Sequence, residues 1–596
     1  MIKRTSLAVL ALSLFCCVPT FGNEDAKKAM ASVPDDAMAF LCIPNLATLD
    51  ADIQQLIKDL KLSAMIPPPM QSLVTNLKMN LPMLAGIDET GPICLVVMPF
   101  TVPAEIQSKI ALILPTANPQ AMITTLGGQA EENGVWPISF MGQSQFTIVK
   151  EKSLILAQSA ETAKAIAQSK SDLTTKLNPE ELNAFANLDT ILWVHTKQAL
   201  SIFKPQIDGM MAMMQAQEGG PLAQKQADMT KSQIDTFVLG VKSIMIGISL
   251  DNAGLGIHTA IAANPGTTLA SEMVLANTKE SLLTGLPLGK YILASGQQVH
   301  PDQAKAAIKQ LDAYLAMASD IEGVTQEKLT ELKEIMNHLM LSLKSYALTL
   351  EALPPSDQGL AGATLIIRTD DAAKYVTQSN QLIALGLEML NAAAKNVDEE
   401  LEELTQAIVH APKAEAGPAG PIAQIRLDLT KIDDEDLEES LKIVGKEGIV
   451  ARIAAVDNKN VIVTIGGGKP YFDRAIAAAK SHQSPMANDV GIKKVAPHMP
   501  ASRAQVVYIA LDHGMALVNN IKLAVDGEPL PMPVPTVDAP IALTTSGSTN
   551  RIQIDLLFPT DLLKAATNMG MAMSGMGPPP AAPTAKPESN ETQTID

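Results

Sequence analysis

The chain has 596 residues, more than one hydrophobic core accommodates, so two or more domains are expected. Hydrophobic residues at 47% and charged residues at 18% exclude a disordered chain, and a formal charge of −18 predicts repulsion from nucleic acid and anionic lipid. Aromatics make up only 3% while methionine numbers 29, so the cores must be assembled from Leu, Ile, Val, Ala and Met.

The N-terminus is laid out as an export signal. Lys3 and Arg4 precede an apolar stretch from Leu7 to Val18, and Thr20-Phe21-Gly22 offers a cleavage site before Asn23. Cleavage between Gly22 and Asn23 predicts an extracytoplasmic protein, periplasmic or secreted. The apolar stretch is short for a membrane anchor, and Cys16 and Cys17 lack the small preceding residue of a lipidation signal. No later stretch is long and apolar enough to cross a bilayer, so the mature chain is expected to have no transmembrane segment. Two cysteines remain after cleavage, Cys42 and Cys94, each in a strand-like apolar run. Export makes a disulfide between them feasible; two separately buried thiols are the alternative.

In chain order, the strand Ala37–Ile43 breaks at Pro44-Asn45 into an amphipathic helix reaching Leu62. A second helical segment follows Pro67-Pro68-Pro69. Strands Pro92–Met98 and Lys109–Leu114 lead to Asn118-Pro119, a cap and first-turn proline for a helix ended by Gly127-Gly128. Val135–Phe140 and Gln145–Val149 form a hairpin, then Leu154–Gln158 a strand, with Ser159 capping the helix Glu161–Gln168. Thr190–His195 runs into a Met-rich helix, and the polar stretch Glu218–Ser232 is read as mobile. The hairpin Ile244–Leu250 and Leu255–Ala262, turning at Asp251-Asn252-Ala253-Gly254, alternates as half-buried antiparallel strands do.

The second half uses the same vocabulary. After the strand Lys290–Ala294 come helices Asp302–Met317 and Thr325–Leu343, then the hairpin Tyr346–Leu353 and Ala361–Arg368, with Thr369-Asp370 capping the next helix. A charged helix, Val397–Val409, precedes Ala411–Gly420, read as a linker. Strands Ile422–Leu429, Ile449–Ala455, Val461–Ile465 and Gln505–Leu511 follow, and a last hairpin, Ile541–Thr545 and Arg551–Phe558, leads to Pro559-Thr560-Asp561 and a helix. Asp526–Pro540 reads as an extended loop. Lys152–Leu156 lines up with Lys459–Val463, Ile191–His195 with Val506–Ala510, and the terminal hairpins follow in the same order. The expected fold is α+β: two tandem, duplicated units of mainly antiparallel sheet with packed helices. Their bounds are 23–280 and 281–573, between a signal peptide at 1–22 and a disordered Pro-rich tail at 574–596.

Chemistry is hard to find. The eight histidines are scattered, and no pair has the i, i+4 spacing of a helical zinc site. His513, beside Asp512 at a strand end, reads as a solvated ring at a helix entry. There is no Gly-x-Ser-x-Gly elbow, and Cys42 and Cys94 sit where apolar neighbours suppress thiolate formation. Gly466-Gly467-Gly468-Lys469 fails the phosphate-loop spacing, since Pro470 stands where Ser or Thr would bind magnesium. Asp433–Asp436 lacks a calcium-loop glycine and suits a helix's first turn. Met210, Met211, Met213 and Met214, with Met569, Met571, Met573 and Met576, read as helix packing, with an adaptable groove or a Cu(I) site as alternatives. No catalytic, cofactor-binding or metal residue is assigned.

Val33-Pro34-Asp35-Asp36 before the strand Ala37-Met38-Ala39-Phe40, then Pro44-Asn45-Leu46, together with the export signal and the repeated strand–helix phrases, resembles large secreted bacterial proteins of uncharacterised function. That resemblance implies no activity and no site residues. The expected function is that of an exported, non-catalytic binding or scaffolding protein of the bacterial cell envelope, with an unknown envelope protein or an apolar ligand as partner. Carriage of a lipid or other apolar ligand, and an enzyme with a dispersed site, are the alternatives.

Overall fold

The computed structural model describes residues 23–573 apart from 82–84, 130, 141–142, 178–180, 183–184, 186–187, 218–220, 319–323, 395–398, 432–436 and 532–533. The expected export signal with Gly22, the acidic run Asp433–Asp436 and the Pro-rich tail with Met576 lie outside the described residues. Asn23 opens the first described helix, Asn23–Ser32.

Among the described residues, nineteen strands form a single sheet. The first nine are β1 (Ala39–Ile43), β2 (Ile93–Val97), β3 (Ile110–Pro115), β4 (Trp136–Phe140), β5 (Gln143–Lys150), β6 (Ser153–Ala157), β7 (Thr190–Val194), β8 (Val241–Asp251) and β9 (Gly254–Ala263). The others are β10 (Tyr291–Gln298), β11 (Leu343–Ala352), β12 (Ala361–Thr369), β13 (Ile408–Gly417), β14 (Gly420–Leu427), β15 (Ile449–Ala455), β16 (Asn460–Gly466), β17 (Gln505–Ile509), β18 (Ile541–Ser548) and β19 (Arg551–Pro559). From one edge, the first half runs β4-β5-β6-β3-β2-β1-β7-β8-β9. From the other, the second runs β13-β14-β15-β16-β12-β11-β10-β17-β18-β19. β9 pairs with β19 in the middle, and every neighbour is antiparallel.

The mainly antiparallel sheet with packed helices is as expected, but the strands of the two expected units, 23–280 and 281–573, belong to one continuous sheet through that central pairing. An unpaired β9 or β19 would leave a row of backbone donors and acceptors open, and pairing them with each other satisfies both at once. The two remaining edges are blunted by chemistry. β4 carries Pro137, while β13 shifts register between Ala411 and Glu415, where Pro412 and Lys413 are exposed. This also overturns the linker reading of Ala411–Gly420. Its Pro and Gly are an edge strand's bulge and hairpin turn, Gly417 facing Gly420. Of Glu218–Ser232, residues 218–220 lie outside the described residues, and the rest belongs to a helix, Pro221–Gly240, that packs against Thr196–Gln217.

Helices cover both faces, so the inner strands are buried on both sides. In β6, Ile155 and Ala157 point into one core with Phe40, Cys42, Val96 and the helix residues Ala29 and Met30. Leu154 and Leu156 point into the other, with Leu49, Leu114 and Met122. This is why β6 reads as an uninterrupted apolar run rather than an alternation. In the second half Ile462 faces Phe472 and Tyr508, and Val461 faces Ala372 and Ile453.

The helix starts are fixed locally. Asn45, Asn118 and Thr325 each accept from a backbone N–H three residues on. Two expected caps differ. Ser159 makes no capping hydrogen bond, and Asp371, not Thr369 or Asp370, accepts from Lys374. Gly466, Gly467 and Gly468 have φ of 71, 65 and 63°, the left-handed turn that carries β16 into its helix.

Candidate functional site

The described residues converge chemically at the middle of the sheet. β8 and β9 are joined by a tight turn, in which Asp251 Oδ1 accepts from the N–H groups of Ala253 (2.8 Å) and Gly254 (3.2 Å). This turn sets the register, placing Ser249 opposite Gly256 and His258 opposite Gly247. On its other side β9 runs beside β19, where His258 faces Asp555. Side chains at these alternating positions share one face of the sheet.

Asp555, His258 and Ser249 form a line of hydrogen bonds. His258 Nδ1 lies 2.7 Å from Asp555 Oδ1, and His258 Nε2 lies 2.8 Å from Ser249 Oγ. A carboxylate at Nδ1 holds the proton on that nitrogen, leaving the Nε2 lone pair to accept the serine hydroxyl. Gln553 Nε2 donates to the same Asp555 oxygen at 2.8 Å. The Asp555 side chain is 3% exposed and that of His258 24%, so the carboxylate is sealed while the ring reaches the surface. Asp555 Oδ2 is buried without a hydrogen-bond partner.

The glycines make room. A Cβ at 256 would collide with Ser249 Oγ and stand 2.9 Å from His258 Nε2. A Cβ at 247 would collide with Leu188, which packs over that position. Next to Leu188, Asp189 is fully buried and its Oδ2 accepts from Leu250 N–H at 2.8 Å. Burial pushes the Asp189 carboxyl up to about 9, against the pull of that N–H; the Asp52 and Asp251 carboxylates push the same way. Burial, then Asp251, also raises Asp52. Asp251 in turn lies 4.0 Å from His498 Nδ1, on the second half of the chain.

The other singled-out residues are not gathered here. Cys42 and Cys94 are register partners on β1 and β2, fully buried, with Cα atoms 4.2 Å apart and sulfurs within bonding distance. His513 packs edge-on against Tyr291, its Nδ1 2.8 Å from the Tyr291 carbonyl, and His410 bonds Asn380. Met213 is 71% exposed; the side chains of Met210, Met211, Met214 and Met573 lie outside the described set. No group of three or more His, Cys, Asp or Glu able to hold a metal occurs among the described residues. No described helix is long and apolar enough to cross a membrane. An open cleft of about 590 Å³ lies between the helix Pro221–Gly240 and the turn at Gly266, with Lys231, Asp235, Thr267 and Leu239 in its wall.

Ser249, His258 and Asp555 escaped the sequence reading because 297 residues separate the histidine from its carboxylate. A signal was present: both residues occupy the same place in the two terminal hairpins that the sequence aligns.

No protein family matches the sequence, and no curated protein is similar to it. Among solved structures, TP0453 aligns in two crystal forms, I and IV, each at TM-score 0.21 and 9% identity over 39% of this chain. The alignments cover 78% and 80% of those chains. Likeness at this level carries nothing about fold or function.

Proposed function

We propose that the protein acts outside the cytoplasm as a binding or scaffolding component of the cell envelope, built from two copies of one α+β unit, 23–280 and 281–573, fused through β9 and β19. The matching strand order inward from each edge supports the duplication, with β13 as the strand that has no counterpart. The observation that carries the binding role is the open cleft beside the paired helices Thr196–Gln217 and Pro221–Gly240. It combines a charged pair of walls, Lys231 and Asp235, with an apolar side chain, Leu239, that is 72% exposed. A protein partner anchored by one apolar group inside a polar rim fits that chemistry.

Crosslinking and pull-down from envelope extract is the test. Wild-type protein should capture a defined partner that Leu239→Asp loses. Recovery of the same partners by both, or of none, removes the reading. Protein purified from the envelope should begin at Asn23. Carriage of an apolar ligand draws less support, because the cavities beside Phe185 and Trp193 and beside Val444 and Val450 hold only about 10 Å³ each.

A further inference from the structure

We propose that Ser249 is an activated nucleophile that accepts acyl groups from small carboxylic esters, with His258 as its base and Asp555 as the positioning carboxylate. This goes beyond the binding reading and stands or falls independently of it.

Three observations converge. The order of atoms is that of a serine nucleophile: carboxylate to Nδ1 at 2.7 Å, and Nε2 to hydroxyl at 2.8 Å. Both contacts already lie within the range proton transfer needs. The exposure gradient is also right, from a sealed Asp555 to a half-buried Ser249 that a ligand can approach. Finally, only a glycine at 256 lets the two reacting atoms approach each other there, since a Cβ would collide with Ser249 Oγ and stand 2.9 Å from His258 Nε2. A structural tie between strands would need only the His258–Asp555 contact; it would not need a glycine that lets a hydroxyl reach the far nitrogen of the ring. Leu188 and Leu557 flank the position, so the acyl portion would be small and apolar.

The step balances without a cofactor. Ser249 Oγ bonds to the ester carbonyl carbon as its proton passes to His258 Nε2. The carbon–alkoxide bond breaks and the alkoxide leaves with that proton as an alcohol. Water then attacks the acyl-serine with His258 again as base, releasing the carboxylic acid and restoring the hydroxyl. A fluorophosphonate probe reports the first half: an Oγ–P bond forms and fluoride leaves.

The experiment treats the purified full-length chain with a fluorophosphonate and maps the adduct by peptide mass spectrometry. Modification at Ser249 is expected, absent in Ser249→Ala and slowed about 100-fold or more in His258→Gln. Hydrolysis of p-nitrophenyl acetate should fall in parallel. Circular dichroism of Ser249→Ala, a substitution small enough to leave the sheet intact, verifies that the comparison is between folded proteins. An unmodified Ser249 in folded wild-type protein overturns the proposal, and so does labelling that His258→Gln leaves unchanged.

Discussion

His258 and Asp555 are each the fifth residue of their strand, β9 and β19, and each is the other's register partner. Equivalent places in the two terminal hairpins therefore meet at the centre of the sheet, one bearing a base and the other an acid. Their hydrogen bond of 2.7 Å ties the halves together at a point where Asp555 has lost its water. Replacing His258 by Ala strands that carboxylate with Gln553 alone. The expected cost is about 2 kcal/mol, the range for a hydrogen bond to a charged group. His482, whose side chain is 64% exposed and 3.7 Å from Asp457, is the control, and its Ala variant should cost less than about 0.5 kcal/mol. Urea unfolding midpoints decide between them; equal shifts would show that the seam contributes nothing special.

Cys42 and Cys94 carry a second prediction, this one about a covalent link. Closing a loop across a sequence separation of 52 is worth roughly 4 kcal/mol through the unfolded chain. Protein isolated from an oxidising compartment should resist thiol alkylation until it is both unfolded and reduced, and reduction should lower its urea midpoint. Ready alkylation in urea without reductant would identify two separately buried thiols instead.

Asn118 tests the smaller, local joints. Its Oδ1 accepts from Ala121 N–H at 3.1 Å, Pro119 follows it at the first helical position, and the helix Pro119–Thr125 buries Met122 and Ile123. Asn118→Ala should cost about 1 kcal/mol and Asn118→Asp much less, since aspartate keeps the acceptor. Identical losses in both variants would assign the effect to something other than capping.

These joints were the most legible part of the sequence, because a cap is written in three or four adjacent residues. Asn118-Pro119 could be read directly as cap and first-turn proline, and the break at Asn45 as a helix start, whereas Thr325 reads as part of its helix rather than as the cap it is. The alternation of β8 and β9 was also legible. What stayed hidden depends on residues distant in the chain. The pairing of β9 with β19 has no local mark, since either strand alone reads as an ordinary hairpin arm. Without it Ser249, His258 and Asp555 look like three unrelated polar residues. Ala411–Gly420 misled for a related reason. Pro and Gly signal a break in most contexts, but at a sheet edge they are compatible with a strand whose outer side needs no partner.

Asp189 gives the chain a pH dependence with a definite sign. Its carboxyl is held up to about 9 in the folded protein against an ordinary 3.8. Between those values the folded state binds a proton that the unfolded state has released, so stability falls as pH rises. The contribution is complete below the unfolded value and is lost as pH climbs through the folded one. Asp189→Asn cannot titrate, yet its amide oxygen still accepts from Leu250 N–H. Measured at about pH 5, 7 and 9, the variant's urea midpoint should gain steadily on wild type, by an amount on the order of a few kcal/mol at the alkaline end. A gap independent of pH would mean that Asp189 is ionised where it sits.

Gly256 is the sharpest test of whether the serine and the histidine need each other. The backbone there belongs to a regular strand, so alanine is tolerated by the ladder itself, and the added methyl group has only one conflict to resolve. It must displace Ser249 Oγ or tilt the His258 ring, whose Nε2 would otherwise stand 2.9 Å away. The His258–Asp555 contact lies on the far side of the ring and can survive a small tilt. Gly256→Ala is therefore expected to cost about 1 to 3 kcal/mol in stability, as overpacking does, while reducing fluorophosphonate labelling of Ser249 far more than that loss of folded protein explains. Gly362→Ala on β12, which presses on Tyr471 in the second half of the chain rather than on the polar line, should destabilise comparably and label at close to the wild-type rate. If both alanine variants label alike, Ser249 draws no reactivity from its contact with His258.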